Sequence, residues 1–238
     1  MSNYDQHFFN DILSGSYRSA VVVSDILLPI VPVRSVVDIG CGTGAWLRAF
    51  EEHGVKEIMG YDGEYVQKDV LEIAPSSFCA KNICELDSIP KKFDLALCLE
   101  VLEHLPDKVG KKIVRLMCNT TPLVLFSAAI PGQGGTNHVN ERWHDYWHRE
   151  FQENGFRVID CIRPRILTNK EVELWYRQNI FLYASQSAFE KYPGLLELAE
   201  NQDYGISLIS TVQFSKFTYC SGLLDALKSS VYRKIFKS

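Results

Sequence analysis

A strand followed directly by a glycine-rich turn constrains this chain more than any other feature of its sequence. Ser35-Val-Val-Asp-Ile39 is a short β-branched run, which predicts a buried strand. Gly40-Cys-Gly-Thr-Gly44 follows at once, and residues 45–51 have the apolar spacing of a helix. Glycines let the backbone turn tightly and let a ligand approach it closely. The pattern therefore predicts the first unit of a nucleotide-binding α/β sheet.

The glycine spacing is G-x-G-x-G, which differs from the G-x-G-x-x-G of dinucleotide-binding folds. The run VVDIGCGTG resembles motif I of the class I S-adenosylmethionine (SAM)-dependent methyltransferases. This resemblance implies that Gly40, Cys41, Gly42 and Gly44 form a turn against the methionyl and ribose part of SAM. It also implies that Asp38 helps to hold the turn and the methionine ammonium. Taken alone, the glycines also fit a tight turn in another α/β protein.

Two further predicted strands end in polar residues. Asp62 and Gly63 follow the second strand, and a carboxylate at that position can accept hydrogen bonds from both ribose hydroxyls. Asn82 and Ile83 follow the third strand, where many members of the family have Asp. The resemblance implies that the Asn82 amide oxygen accepts from the adenine amino group, while the backbone N–H of Ile83 meets the ring. Simple turns are the alternative at both places.

The stretch FDLALCLEVLEHLP contains the fourth predicted strand. Its residues 95–99 are apolar on both faces, as a central parallel strand requires. The stretch resembles the fourth motif of the family, in the subgroup that reads E-V-x-E-H. That resemblance implies that Leu99, Glu100 and His104 form part of the wall beside the sulfonium and the methionine. The alternative for His104 is a histidine bonded only to the backbone.

A loop rich in polar and aromatic residues follows the fifth predicted strand. Residues 129–143 contain three glycines together with His138, Asn140, Glu141 and Trp143, and Asn140 is a further candidate partner of acceptor hydroxyls. Loops at the carboxyl edge of an open α/β sheet commonly carry function. We predict His138 as a general base for a hydroxyl acceptor and Glu141 as its orienting partner or a ligand of sugar hydroxyls. The alternative is that His138 only hydrogen-bonds the substrate or the loop backbone.

No metal site is predicted. His138, His144 and His148 could be drawn as one, but the aromatic residues around them favour packing. The seven cysteines are scattered and include no C-x-x-C pair, which argues against a cysteine zinc site or a disulfide framework and fits the cytoplasm. No apolar run is long enough for a membrane span.

Three regions are predicted along the 238 residues. Residues 1–30 form N-terminal helices, broken at Ser14-Gly15-Ser16, and the first of them is a candidate lid. Residues 31–185 form the SAM-binding domain, for which the resemblance implies a Rossmann-like α/β fold with a seven-stranded, mostly parallel sheet. Residues 186–238 form a helical appendage.

These features predict a SAM-dependent methyltransferase that leaves S-adenosylhomocysteine as its product. The loop run AAIPGQGGTNHVNERW resembles bacterial members associated with sugar and surface-polysaccharide genes, so the predicted reaction is O-methylation of a small polar acceptor. A sugar, a phosphorylated precursor or a natural-product precursor would fit. The alternatives are N-methylation of an amine or base, and a non-catalytic SAM-binding module. The net charge of −4 argues against a nucleic-acid partner, and the sequence gives no oligomeric state.

Overall fold

A single seven-stranded sheet organises the computed structural model, which describes the backbone of residues 3–200 and the side chains from residue 15 onward. The strand order is β3-β2-β1-β4-β5-β7-β6, and β7 pairs antiparallel with both of its neighbours while the other pairs are parallel. The strands are β1 Ser35–Ile39, β2 Glu57–Asp62, β3 Phe78–Ala80, β4 Leu95–Leu99, β5 Leu123–Ser127, β6 Phe156–Ile159 and β7 Phe181–Ser185. The predicted fold class, including the antiparallel late strand, is confirmed.

Eight α-helices lie among the described residues. They are α1 Asn3–Leu27, α2 Ala45–Glu52, α3 Asp107–Thr120, α4 His144–Glu153, α5 Arg163–Ile166, α6 Leu174–Asn179, α7 Gln186–Lys191 and α8 Gly194–Glu200. Short 3-10 turns occur between strands, and the one at Leu102–His104 bears on the site.

The sheet is buried on both faces, as a parallel sheet covered by helices should be. All five residues of β4 are buried, with Leu95, Leu97 and Leu99 on one face and Ala96 and Cys98 on the other. The first face packs against α1 and α2, and the second packs against α3 and α4. Because both faces must be apolar, β4 reads as a continuous hydrophobic run in the sequence.

The predicted break at Ser14-Gly15-Ser16 is wrong, because α1 runs through it without interruption. A Cβ at Gly15 would lie 2.2 Å from Oε1 of Glu173, so the glycine lets the helix pack closely against the start of α6. The Ser19 hydroxyl donates to the Gly15 carbonyl at 2.7 Å, within the helix. A helix supported by packing tolerates a glycine that would weaken it in isolation.

The predicted regional boundaries are not tested by the fold. The lid prediction rests on side chains before residue 15, which lie outside the described residues. The predicted helical appendage is described only as far as residue 200, where α7 and α8 supply the helices. The rest of it, residues 201–238, also lies outside the described part of the chain.

Candidate functional site

The glycine turn after β1 has the backbone geometry that its sequence predicts. Gly40, Gly42 and Gly44 have φ angles of 84°, 55° and 91°, all in the left-handed region. A Cβ at Gly40 would lie 2.5 Å from the Val101 side chain, whereas a Cβ at Gly42 would meet no atom within 4 Å. The turn therefore packs tightly against Val101 at its start, whereas open space lies beside Gly42.

Asp62, the last residue of β2, ties the glycine turn to the second strand. Its Oδ2 accepts from the backbone N–H of Gly42 at 2.7 Å, and its Oδ1 accepts from the N–H of Gly63 at 2.7 Å. The Tyr65 hydroxyl also donates to Oδ1. The carboxylate thus positions the loop from an almost fully buried place, since only 4% of Asp62 is exposed.

A cleft of about 1010 Å³ opens at the carboxyl ends of β1, β2, β3 and β4. Most of the residues predicted to bind the cofactor line it: Gly40, Gly42, Asp62, Gly63, Asn82, Ile83, Glu100 and His104. Open α/β sheets bind ligands at this edge. The structure therefore brings together residues from four strand ends that the sequence presents separately.

The other predicted cofactor residues lie behind the cleft wall. Asp38, Cys41 and Leu99 are buried. Gly44 faces Ile73, since a Cβ there would lie 2.8 Å from the Ile73 side chain. Burial and the nearby charge of Asp62 raise the pKa of the Asp38 carboxyl to about 7. A cation placed near Asp38 would favour its ionised form.

Asn82 serves the turn after β3. Its Oδ1 accepts from the backbone N–H of Cys84 at 3.0 Å, and its Nδ2 donates to Glu85 at 3.0 Å. The amide therefore caps the 3-10 turn that begins at Ile83. Asn82 also lines the cleft, so its role toward adenine stays a prediction.

Glu100 has an unusual backbone conformation at the end of β4. Its φ of 55° places a non-glycine residue in the left-handed region. Its carboxylate accepts from Gln133 at 2.9 Å and from Asn179 at 3.2 Å, and Asn179 also donates to Gln133 at 2.8 Å. Strain of this kind persists where surrounding contacts fix it, which is common at functional sites.

Glu103 places a second carboxyl group beside Glu100 and has no exposed surface. Its Oε1 accepts from the backbone N–H of Ala129 at 3.2 Å, and its carboxyl group, when protonated, donates to the Glu100 carboxylate. Burial, and then the charge of Glu100, raise the pKa of Glu103 well above its ordinary value, and burial raises the pKa of Glu100 as well. These two adjacent carboxyl groups, of which Glu103 is buried and Glu100 is half-buried, therefore do not both ionise readily.

His104 and His138 meet between the cofactor cleft and the loop after β5. Their rings pack edge to face with centroids 4.8 Å apart. Nδ1 of His138 lies 2.8 Å from Oε1 of Glu141, and Glu141 also accepts from the backbone N–H of Gly132 at 2.8 Å. The predicted pairing of His138 with Glu141 is therefore present. Burial, followed by the proximity of His138, lowers the pKa of His104.

Glu141 also lines a second cleft, which has a volume of about 490 Å³. The residues around it are mostly polar and aromatic: Pro131, Glu141, Arg142, Trp143, Asp145, Tyr146 and Arg149. About half of Trp143 is accessible to solvent, with 47% of the residue exposed. The His104–His138–Glu141 contacts thus run from the wall of the first cleft to the second.

Other polar residues of this region have structural partners. Asn140 is buried, donates to the Leu102 carbonyl at 3.3 Å and accepts from Arg142 at 2.9 Å, so it holds the loop in place. His144 contacts Asn179 at 3.2 Å, and His148 contacts the Tyr183 hydroxyl at 2.7 Å. Burial lowers the pKa of His148 to about 3, so this ring packs as a neutral group.

Sequence reasoning missed several residues of the site. Glu103 stood inside the quoted E-V-L-E-H motif, yet no role was assigned to it. Gln133 and Asn179 gave no sequence signal, because their partner Glu100 lies at a distant position in the chain. Tyr65 gave none either, although its partner Asp62 is only three residues before it.

The strand order and the glycine turn facing the cleft define the class of protein: this is the fold of the class I SAM-dependent methyltransferases. A family model described as a methyltransferase domain matches residues 16–160. The chain belongs to that family. The predicted enzyme class, SAM-dependent methyltransferase, and the predicted cofactor, SAM, are thereby confirmed.

Sequence relatives cover a smaller part of the chain. The ubiquinone biosynthesis O-methyltransferase of Methylococcus capsulatus is 32% identical over 82 residues, which are 31% of this chain and 34% of that protein. The protein of the same name from Pseudomonas fluorescens is 36% identical over 81 residues, with 31% and 34% covered. The match thus spans about a third of the length of these curated relatives.

Solved structures share the fold over most of the chain. The magnesium protoporphyrin IX methyltransferase of Synechocystis with bound SAM gives a TM-score of 0.56 at 17% identity, covering 78% of this chain and 86% of that one. The sugar N-methyltransferase of a Streptoalloteichus species gives a TM-score of 0.58 at 14% identity, covering 77% and 93%. Within residues 3–200, no helix has the length and apolar character needed to cross a membrane.

Asp62 supports a first prediction on cofactor affinity. We expect Asp62→Ala to weaken SAM binding by about 1–3 kcal/mol, the cost of losing charge-assisted hydrogen bonds. Part of this loss comes through Gly42, whose N–H would lose its acceptor. Calorimetry of the folded variant measures the effect, and Asp25→Ala, an exposed carboxylate on α1, is the control. Unchanged SAM affinity in Asp62→Ala would overturn the ribose assignment.

Proposed function

We propose that this protein transfers the methyl group of SAM to a hydroxyl oxygen of a small polar acceptor, such as a sugar or a related biosynthetic precursor. The observation that carries the proposal is the 2.8 Å contact between His138 and Glu141, next to the cleft-lining His104. A hydroxyl ionises far above neutral pH, so its methylation benefits from a group that removes its proton. A neutral amine has no such requirement at the moment of attack.

In the proposed reaction the acceptor oxygen attacks the methyl carbon in line with the departing sulfur. A carbon–oxygen bond forms, the carbon–sulfur bond breaks with its electron pair going to sulfur, and S-adenosylhomocysteine leaves. The sulfonium is already a good leaving group, so the protein mainly aligns the reactants. The hydroxyl proton goes to Nε2 of His138, whose Nδ1 is held by Glu141. Nε2 lies against Gly135 in the structure, where a Cβ would be 2.2 Å from it.

The roles of the cofactor residues follow from their places in the cleft. We assign the ribose to Asp62 and Gly63, the adenine to Asn82 and Ile83, and the methionine to the glycine turn with Asp38 beneath it. Glu100 and His104 form the wall near the methyl group. These positions match the family motifs that the sequence contains, except that Asn82 stands where many members have Asp, and the cleft holds most of them on one surface.

The second cleft supports the polar character of the acceptor. Its charged residues offer hydrogen-bond partners, and the exposed face of Trp143 offers a surface against which a sugar ring can pack. The names of the compared proteins differ in the acceptor atom. The sequence relatives are named O-methyltransferases, whereas one structural neighbour is a sugar N-methyltransferase. N-methylation of an amine is therefore the second candidate.

Methyl-labelled SAM and a panel of matched acceptors test this function. The panel pairs each sugar or sugar nucleotide with its amino-sugar analogue, and phenolic acceptors are included because of the names of the relatives. We expect label on the oxygen of a hydroxyl acceptor. Transfer to the amino analogues alone would establish N-methylation. Normal SAM binding without transfer to any member would favour a non-catalytic binding module.

A further inference from the structure

The Asp62 carboxylate, to which we assign the ribose of SAM, accepts from three donors of the protein itself. Oδ2 accepts from the backbone N–H of Gly42 at 2.7 Å, and Oδ1 accepts from the backbone N–H of Gly63 at 2.7 Å. The third donor is the Tyr65 hydroxyl, which also bonds Oδ1. The first two donors belong to the backbone, whereas the third belongs to a side chain that can change its rotamer.

The carboxylate has too few acceptor positions for these donors and for both hydroxyls of the ribose. Its two oxygens offer about four lone-pair positions in total. Gly42, Gly63 and Tyr65 use three of them, so a single position remains, on Oδ2. Accepting the 2′- and 3′-hydroxyls together requires two positions. The Tyr65 hydroxyl is the donor that can leave, because the fold fixes the two backbone N–H groups.

The turn after β2 brings Tyr65 back toward Asp62. The backbone N–H of Val66 donates to the Gly63 carbonyl at 3.2 Å, which closes a turn over residues 63–66. The Tyr65 ring lies against Gly63, where a Cβ would be 2.2 Å from Cε1 of the ring. Glycine at this position therefore leaves the space that the ring occupies, and the local backbone places the hydroxyl on the carboxylate.

Little packing holds the Tyr65 side chain in this position. As much as 79% of the residue is exposed, whereas Asp62 beside it is 4% exposed. A side chain that buries little apolar surface loses little free energy when it rotates into solvent. Tyr65 also lines the cofactor cleft together with Asp62 and Gly63. The hydrogen bond to Asp62 is therefore the contact that retains the ring at the ribose end of the cleft.

We propose that Tyr65 competes with the ribose of the cofactor for Asp62, and that this competition sets the affinity of the cleft for SAM and S-adenosylhomocysteine. The Tyr65 hydroxyl leaves Oδ1 when the cofactor binds, and a ribose hydroxyl takes its place. The proposal rests on the ribose assignment made under the proposed function. Because SAM and S-adenosylhomocysteine have the same ribose, the competition weakens the binding of both equally and limits the fraction of the enzyme that the product occupies.

Removing the hydroxyl of Tyr65 should increase the affinity for SAM. The cleft accepts both ribose hydroxyls only in the fraction of molecules whose Tyr65 is rotated away, and the apparent affinity is reduced by that fraction. Tyr65→Phe keeps the ring and removes the donor. We expect this variant to bind SAM about 10-fold more tightly, from the loss of one hydrogen bond to a charged acceptor. Most of the gain should appear in the association rate, measured by stopped-flow mixing.

Two comparisons distinguish competition for the carboxylate from other effects of the Tyr65 ring. S-adenosylhomocysteine and its 2′,3′-dideoxy analogue are titrated by calorimetry into the full-length wild type and Tyr65→Phe. The dideoxy analogue does not use Asp62, so its affinity should be the same in both proteins, while S-adenosylhomocysteine gains about 10-fold. Tyr17→Phe is the matched control and should bind SAM as the wild type does. The Tyr17 hydroxyl also donates to a carboxylate, that of Glu52, but it does so between α1 and α2, outside the cleft.

Circular dichroism establishes that each variant is folded. The proposal is wrong if Tyr65→Phe binds SAM with the affinity of the wild type or more weakly, or if the dideoxy analogue gains as much as S-adenosylhomocysteine does. Failure of the ribose assignment gives a different result, because Asp62→Ala would then bind SAM as the wild type does, and the role of Tyr65 would fall with it. If Asp62→Ala weakens binding while Tyr65→Phe leaves it unchanged, the ribose assignment stands and only the competition is overturned.

Discussion

Replacing His138 with alanine is expected to lower turnover by about 10²–10⁴-fold, the usual effect of losing a group that activates a hydroxyl. SAM affinity should stay within a few-fold of the wild type. His138 contacts His104 at the edge of the cleft, but it is not among the residues that line the cofactor cleft. The measurement is steady-state turnover with the acceptor found by methyl labelling, together with calorimetric SAM binding.

The controls for His138→Ala distinguish the loss of a group that acts on the acceptor from damage to the structure of the loop. His53→Ala removes a histidine far from the loop and should leave turnover unchanged. Glu141→Gln keeps a hydrogen-bond partner for the ring but removes its charge, so its loss should be smaller than that of His138→Ala. Turnover near wild type in His138→Ala would show that the ring does not remove the proton, and that the acceptor arrives already nucleophilic.

Gly42→Val is expected to weaken SAM binding by at least about 100-fold, or ~2.7 kcal/mol. A Cβ at Gly42 would meet no protein atom within 4 Å, and Gly42 lines the cleft that we assign to the cofactor. The variant should therefore fold, with a modest loss of stability from placing a side chain at a φ of 55°. Calorimetry of SAM binding and thermal unfolding measure the two effects.

A second glycine provides a matched control for the backbone strain. Gly155 has a φ of 79°, and a Cβ there would also meet nothing within 4 Å, but it lies between α4 and β6, away from the cleft. Gly155→Val should lose stability to a similar extent and bind SAM normally. If Gly42→Val binds SAM as tightly as Gly155→Val does, the glycine turn is not the cofactor cradle.

The cleft that gathers the residues predicted to bind the cofactor was largely predictable, because its signals are local. Gly40, Gly42 and Gly44 adopt left-handed conformations that other residues rarely adopt, so their spacing is visible in the sequence. Asp62 ends β2, and Asn82 lies two residues after the end of β3. Parallel strands bring their carboxyl ends to one edge of the sheet. Together these features were enough to predict which strand ends form the cleft.

The part of the site that we propose acts on the acceptor was only partly predictable. His138 and Glu141 are three residues apart, and their contact followed from reading the loop as a unit. The roles of Asn140 and Glu103 could not be read in the same way. Whether a polar side chain faces a ligand or holds the backbone depends on which carbonyls and amides lie next to it, and these come from other segments.

By itself, the sequence determined the class of fold, the strand–glycine turn–helix unit and the buried central strand, since hydrophobic patterning and glycine conformation act over short stretches of chain. Only the tertiary structure decided the contacts of Glu100 with Gln133 and Asn179, which lie 33 and 79 residues further along. It likewise placed Glu103 and His104 against His138, and carried α1 through Gly15 by packing it on Glu173. Such contacts have no characteristic spacing, because they arise where separate segments are brought together by burial of the sheet.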